Sequence, residues 1–339
     1  MRRFFPRTGW LAAAVLILRL VADVCEPAVW ASARQMTGFH HTMWTSDNGL
    51  GAVFDIQQAS DGYLWLTTST GVFRFDGVRF QSVGEVTNGA VENSQIHSAF
   101  LSSSGGVWLK TRAAGLLLWK DGRLSIFEDR RCTPALQMEG LAEDQDGALW
   151  IQGSGGLFRM RGSVCDQVGL EHGYPGGFPA AVLVDRKGTV WVRTLAGDLL
   201  FLPRGQSRFQ RLPYAAGAIS AAFVLAAPAH NAFLHEAPDG AIWLSDDYGL
   251  RRVTNSAGDP VVSSSLGKER KGNIRFGDFT FAADGSLWAA SDRGVRRFDH
   301  VERWQTPIAM EDSPGENFTT EQGLSSNAAW KALIDREGS

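Results

Sequence analysis

Asp61-Gly62-Tyr63-Leu64-Trp65-Leu66-Thr67-Thr68-Ser69-Thr70-Gly71-Val72-Phe73-Arg74-Phe75-Asp76-Gly77 is written again, with variations, five more times along the chain. The later copies centre on Trp108, Trp150, Trp191, Trp243 and Trp288. In each a glycine stands three residues before the Trp (Gly62, Gly105, Gly147, Gly188, Gly240, Gly285), and another follows six or seven after it. Successive Trp spacings are 43, 42, 41, 52 and 45 residues. A further copy opens at Arg336-Glu337-Gly338-Ser339. A fixed period of this length marks a repeat architecture, and it makes residues 34–339 one repetitive body.

The chemistry within one unit predicts its strands. Short apolar runs (Val53 to Ala59, Tyr63 to Thr67, Val72 to Phe75, Arg79 to Val83) are separated by Gly or Asp-Gly turns. Asp-Gly between alternating runs is a hairpin signal, here read as mirror-image turns needing positive φ. Four short antiparallel strands per unit is a propeller blade. The expected fold is therefore all-β: a β-propeller of six complete four-stranded blades plus a partial seventh, truncated there. A solenoid coil is shorter than these repeats, and a sandwich gives no reason for a Trp at fixed phase. Trp65, Trp108, Trp150, Trp191, Trp243 and Trp288 are assigned to structure, filling the space between adjacent blades. At the ends, Phe39 to Trp44 resembles an outermost strand and Ala328 to Asp335 an innermost one, as when a ring closes on a shared blade. Pro203 to Ala229, where the spacing lengthens, is expected to be a long loop.

Residues 1–33 have the form of an export signal. Arg2, Arg3 and Arg7 precede the apolar run Trp10 to Leu18, and Ala31-Ser32-Ala33 fits an A-x-A cleavage site. An uncleaved N-terminal anchor is the alternative. Without this segment the chain carries 29 basic and 34 acidic residues, a net of −5. With no basic cluster, that charge argues against nucleic acid as a partner. Cys132 and Cys165 lie in adjacent repeats, and either a disulfide or two separate thiols is compatible with their spacing in an exported chain.

Two stretches carry a family resemblance. Met43-Trp44-Thr45-Ser46-Asp47-Asn48-Gly49-Leu50, followed by the Asp61 unit, is similar to the two-component regulator propeller repeat. So is Thr319-Thr320-Glu321-Gln322-Gly323-Leu324-Ser325-Ser326-Asn327, followed by Ala332-Leu333-Ile334-Asp335-Arg336-Glu337-Gly338. The resemblance covers residues 39–339. It implies a periplasmic ligand-sensing propeller, the input module of a hybrid sensor histidine kinase anchored in the inner membrane. It also implies further kinase domains as partners, with a homodimer as one arrangement of the parent. The fourth unit departs from the pattern, with Asp198-Leu199 where others have Gly-Leu before Arg-Phe.

With the Trp and Gly positions assigned to scaffold, function is expected in the turns joining second and third strands, which differ from copy to copy. The candidate ligand-binding residues are Thr68, Ser69, Arg112, Gln152, Ser154, Arg193, Asp246, Asp247, Tyr248, Asp292 and Arg293. Their mixture of donors and acceptors suits a small hydroxyl-rich ligand or oligosaccharide, with Tyr248 for stacking. No catalytic residue, cofactor or metal is assigned. The histidines are scattered and no Gly-x-Ser-x-Gly or His-Glu-x-x-His motif occurs. Asp144-x-Asp146-Gly147 has too few ligands for calcium and is assigned to turn chemistry. The alternative function is a free-standing periplasmic propeller, either a streptogramin-lyase-like enzyme using His97 or His235 with a metal, or a protein-interaction scaffold.

Overall fold

The computed structural model describes residues 42–44, 49–92, 96–111, 115–127, 138–153, 155–212, 234–246, 249–256, 259–263, 276–303, 315–329 and 331–336. Each repeat becomes a four-stranded antiparallel meander in chain order, and the six sheets form a β-propeller. Blade one is β1 (Val53–Gln58), β2 (Leu64–Thr68), β3 (Gly71–Phe75) and β4 (Phe80–Ser82). Blade two is β5 (Ile96–Leu101), β6 (Val107–Thr111), β7 (Leu116–Lys120) and β8 (Arg123–Phe127). Blade three is β9 (Met138–Glu143), β10 (Leu149–Gly153), β11 (Gly156–Arg161) and β12 (Val164–Gln167). Blade four is β13 (Pro179–Val184), β14 (Val190–Thr194), β15 (Leu199–Leu202) and β16 (Gln210–Arg211). Blade five is β17 (Leu234–Glu236), β18 (Ile242–Asp246), β19 (Gly249–Ser256) and β20 (Asp259–Ser263). Blade six is β21 (Phe276–Phe281), β22 (Leu287–Ser291), β23 (Gly294–Phe298) and β24 (Glu316–Phe318).

The glycine before each Trp has a conformational job. All six have φ between +76° and +91°. In every blade the N–H of this glycine donates to the carbonyl three residues earlier, and that earlier residue's N–H donates to the carbonyl after the glycine; Gly62 to Ala59 and Ala59 to Tyr63 are the first pair. That is a type I turn followed by one left-handed residue, a three-residue loop. For the turns before the Trp, the mirror-image two-residue form expected for Asp-Gly is therefore corrected, because the residue before the glycine does not enter the left-handed region; Asp121-Gly122, between β7 and β8, does take that form, with φ of 50° and 72°. Before the Trp, the Asp instead closes the loop through its side chain, as Asp61 Oδ1 does for Tyr63 N–H.

Outside the sheets, the Thr-x-x-Gln-Gly-Leu element also has a physical reading. Thr319 caps a short 3-10 turn (Thr320–Gln322) in a reciprocal capping box with Gln322, and Gly323 ends it at φ +110°. Ser82 and Glu85 make the same box on α1 (Val83–Val86).

The core lies between blades. Five apolar clusters among the described residues each join the Trp of one blade to the inner strands of the next. Trp65 packs with Ala99 and Leu109, Trp108 with Leu141 and Ile151, and Trp150 with Val182 and Val192. Trp191 packs with Leu234 and Leu244, and Trp243 with Phe279 and Ala289. At about 25 cal/mol per Å² and 150–250 Å² per ring, each buried Trp contributes about 4–6 kcal/mol of burial. Trp288 is the exception: it is only partly buried and stacks on Phe318 at 5.4 Å.

Other expectations change at the ends. Six blades are present among the described residues, and described residues 331–336 form no strand. Thr42 to Trp44 likewise forms no strand; Trp44 instead sits edge-on against Phe75, 4.8 Å away. Part of the stretch expected as a loop is ordered, since β16 lies within it, while residues 213–229 are outside the described residues. Cys165 is buried and disulfide-bonded. Residues 1–41 and Cys132 are also outside the described residues. No helix among the described residues is long and apolar enough to cross a membrane.

Candidate functional site

The turns between second and third strands share one face of the ring with the connections between blades. Ser69, Asp292 and Arg293 are exposed there. Ser69 Oγ accepts from Ala52 N–H, which ties the β2–β3 turn to the incoming chain. Thr68 is buried and its hydroxyl is committed locally: it donates to Gly71 O at 2.9 Å and accepts from Thr70 N–H. Ser291 closes the equivalent turn of blade six in the same way. Gln152 and Arg193 are buried too, at 3 % and 0 % exposure. Both are still inside their second strands, two residues past the Trp, where side chains enter the inter-blade space. Arg112, Ser154, Asp247 and Tyr248 are outside the described residues, as is the side chain of Asp246.

A polar cluster absent from the sequence-based set lies where the ring closes. Lys331 Nζ sits 2.9 Å from Asp278 Oδ2 on β21 and 3.1 Å from Asp55 Oδ1 on β1. His235 Nε2 on β17 donates to Asp278 Oδ1 at 2.8 Å, and Gln57 Nε2 donates to Asp55 Oδ2 at 2.6 Å. The carboxylate side chains are almost fully buried, at 4 % for Asp55 and 1 % for Asp278, and Lys331 is at 15 %. Burial pushes the Asp278 carboxyl up, but the Lys331 ammonium and the His235 imidazole outweigh it and hold the group below its ordinary value. Against the pull of burial, Asp278 and then Asp55 hold Lys331 above the ordinary lysine range.

The repeat explains this meeting. Asp55 and Asp278 stand seven residues before the turn glycines Gly62 and Gly285, and Lys331 stands seven before Gly338. At the same place the second, third and fourth units have Ser98, Gly140 and Ala181. The neighbouring contact is likewise a repeat contact. Arg336 N–H donates to Gln58 Oε1 at 2.8 Å, as Ser103 N–H does to Glu143 and Arg186 N–H to Glu236. Residues 331–336 therefore meet blade one as one blade meets the next, while Lys331 and Ala329 reach blade six. Aligning the units on their glycines would have exposed charges at this place in the first, sixth and seventh copies.

Of the two histidines considered, His235 lies in this cluster, stacked on Phe279 at a ring separation of 4.5 Å. The His97 side chain is outside the described residues. Among the described residues no group of three or more His, Cys, Asp or Glu side chains is arranged to hold a metal ion.

On the opposite face, the turns between first and second strands carry a second recurring device. Asp144 accepts from Trp150 Nε1 at 3.0 Å and pairs with Arg159, whose guanidinium lies 4.6 Å over the Trp150 ring. Burial raises the Asp144 carboxyl, but hydrogen bonds from Ala148 and Trp150 and the charge of Arg159 bring it below its ordinary value. Asp185 repeats the bond to the Trp in blade four, accepting from Trp191 Nε1 at 2.9 Å, while in blades five and six Arg252 and Arg297 pair instead with Asp239 and Asp284, two residues later in the turn. The third-strand Arg thus lies over the Trp in blades three and six, while Arg74 of the Arg-Phe-Asp-Gly copy lies over Tyr63 at 4.3 Å. Hollows of about 250, 200 and 40 Å³ lie beside these turns at blades five and six, one and two, and three and four.

No protein-family model and no curated protein matches the sequence. Solved structures do match it. The extracellular domain of a hybrid two-component system from B. thetaiotaomicron aligns with a TM-score of 0.64 at 18 % identity, over 88 % of this chain and 37 % of that one. A second such domain from the same organism aligns with a TM-score of 0.61 at 14 % identity, over 88 % and 39 %. A streptogramin B lyase aligns with a TM-score of 0.57 at 14 % identity, over 85 % and 89 %. At these identities the likeness is one of fold. The chain spans less than two-fifths of the length of the two-component domains it matches.

Proposed function

We propose that this chain is a ligand-sensing propeller module of an exported two-component sensor, working with membrane and kinase domains of a longer protein. The observation that carries this reading is the division within the repeat: Trp, Gly and Arg positions are spent on scaffold, while exposed turn residues such as Ser69, Asp292 and Arg293 differ between blades. The fold likeness to extracellular domains of hybrid two-component systems supports it, as does the resemblance of residues 39–339 to the sensor repeat. In this reading the protein is periplasmic. The ligand is a hydroxyl-rich small molecule or oligosaccharide on the face of the second-to-third-strand turns, and the chain itself performs no chemistry.

Thermal unfolding in the presence of a panel of mono- and oligosaccharides tests the ligand class. A ligand at 100 times its Kd stabilises by about 2.7 kcal/mol, enough for a shift of several degrees. The expected result is a shift with one sugar class, reduced in Arg293→Ala and Asp292→Asn. No shift with any sugar overturns the ligand assignment. The open reading frame beyond Ser339 tests the module assignment, and a stop codon there, with no membrane span or kinase nearby, would count against it.

One observation favours a second reading. The buried carboxylate of Asp278 polarises His235 across 2.8 Å, an arrangement able to serve a base, and lyases share the fold. Turnover of a streptogramin-type substrate that is lost in His235→Ala would establish it; no turnover in the intact protein would remove it.

A further inference from the structure

The β22–β23 turn, Ser291 to Gly294, carries the exposed side chains of Asp292 and Arg293, and the chain leaving blade six clasps it at both ends. At one end Gly294 lies so close to that chain that an added Cβ would collide with the Phe318 carbonyl and stand 3.4 Å from Thr319 Cγ2. At the other, Ser291 O accepts from Ala329 N–H at 2.7 Å. The Ser291 hydroxyl joins the two ends of the turn, accepting from Arg293 N–H at 3.1 Å and donating to Gly294 O at 2.9 Å.

Between the two clasping contacts the outgoing chain is tied to itself. Leu324 N–H donates to Thr319 O at 3.0 Å and Thr320 N–H to Asn327 Oδ1 at 2.8 Å, beside the capping box of Thr319 and Gln322. Thr319 to Ala329 is therefore a compact loop closed by its own hydrogen bonds, able to shift as one piece. Two residues beyond it, Lys331 enters the contact between Asp278 and Asp55, and Arg336 then reaches Gln58 and Ser60 of blade one. The turns of blades one and four are tied to incoming chain: Ser69 N–H donates to Ala52 O, and Leu195 N–H to Phe178 O. The turn of blade six is tied to the chain that goes on to close the ring.

We propose that the loop from Thr319 to Ala329 is a relay, coupling the β22–β23 turn to the ionic contact that closes the ring. A ligand held by Asp292 and Arg293 orders the turn, fixes the Ser291 carbonyl against Ala329, and so tightens the seat of Lys331. Coupling between two sites is reciprocal, so loosening Lys331 also loosens the turn. The ligand roles of Asp292 and Arg293 rest on the sensing function proposed above, whereas the coupling belongs to the chain without ligand.

Hydrogen exchange of the full chain without added ligand, read by mass spectrometry, tests it. Ser291→Ala removes both hydroxyl bonds of the turn and keeps the carbonyl. It should speed exchange about tenfold or more in residues 291–297 and also in 319–329 and 331–336, with β9 to β12 of blade three unchanged. Thr194→Ala removes the hydroxyl that accepts from Asp198 N–H at the same position of blade four, and should leave 319–329 and 331–336 as they were. Should Ser291→Ala leave the turn itself unmoved, Gly294→Ala drives a methyl against the Phe318 carbonyl, breaks the clasp from its other end and is read in the same way. In the reverse direction, Lys331→Met should speed exchange in 291–297 more than in blade three. Unchanged exchange of 319–329 and 331–336 when the turn is loosened, or an equal rise in Thr194→Ala, overturns the relay. So does a rise in Lys331→Met that is no greater at 291–297 than in blade three. No ligand enters this measurement, so a sugar panel without a thermal shift would remove the ligand assignment and leave the relay to stand or fall by exchange alone.

Discussion

Five junctions of the ring and the sixth are built from different materials. Between successive blades from one to six, a Trp and the branched residues of the next inner strand make an apolar contact that needs no partner. Where blade six returns to blade one, Trp288 is only partly buried and the contact runs through Lys331 between Asp278 and Asp55. An apolar junction tolerates any residue of suitable volume. An ionic one is specific, because every other pairing would leave a buried charge alone. The repeat supplies general adhesion, and the chain's two ends carry the instruction that brings them together.

The contrast can be broken first at its apolar side. Trp243→Ala removes a ring that is 1 % exposed and should destabilise the protein by about 3–5 kcal/mol in urea unfolding. Trp288→Ala should cost less than half as much, and equal losses would erase the distinction between the junctions. Next comes the ionic side. Lys331→Met leaves two buried carboxylates without their cation and should cost about 3 kcal/mol. Adding Asp55→Asn and Asp278→Asn should recover at least half of that, since the charges would then be gone together.

A smaller effect is expected from pH. Asp278 has a folded value held below its ordinary 3.8, so its stabilisation is present above about pH 4 and is lost as pH falls through the folded value. Lys331 has the opposite sign: its contribution is full below its ordinary 10.5 and is lost only at higher pH. The difference in Tm between wild type and Asp278→Asn should therefore shrink on acidification below pH 4 and stay level at neutral pH. Smallest of all, Arg293→Ala on the exposed turn should change stability by less than about 0.5 kcal/mol, as surface substitutions do.

The scaffold was legible because each of its residues repeats a local physical need. A left-handed turn position calls for Gly, and a gap between sheets calls for Trp. The site was less legible because neighbouring residues in one turn have different fates. Thr68 looked like a presented hydroxyl beside Ser69, yet its position is the one whose side chain closes the turn. Gln152 and Arg193 looked like turn residues, but their strands run on and carry them inward. Lys331 drew no notice in a linear reading, since its partners lie 53 and 276 residues away.

The most direct test of ring closure is a double-mutant cycle on Lys331 and Asp278, using Lys331→Met and Asp278→Asn, with the exposed pair Arg204 and Asp146 as the control. A coupling of about 2 kcal/mol or more is expected for the first pair and less than about 1 kcal/mol for the second. A coupling below about 0.5 kcal/mol between Lys331 and Asp278 would contradict closure of the ring through that ion pair.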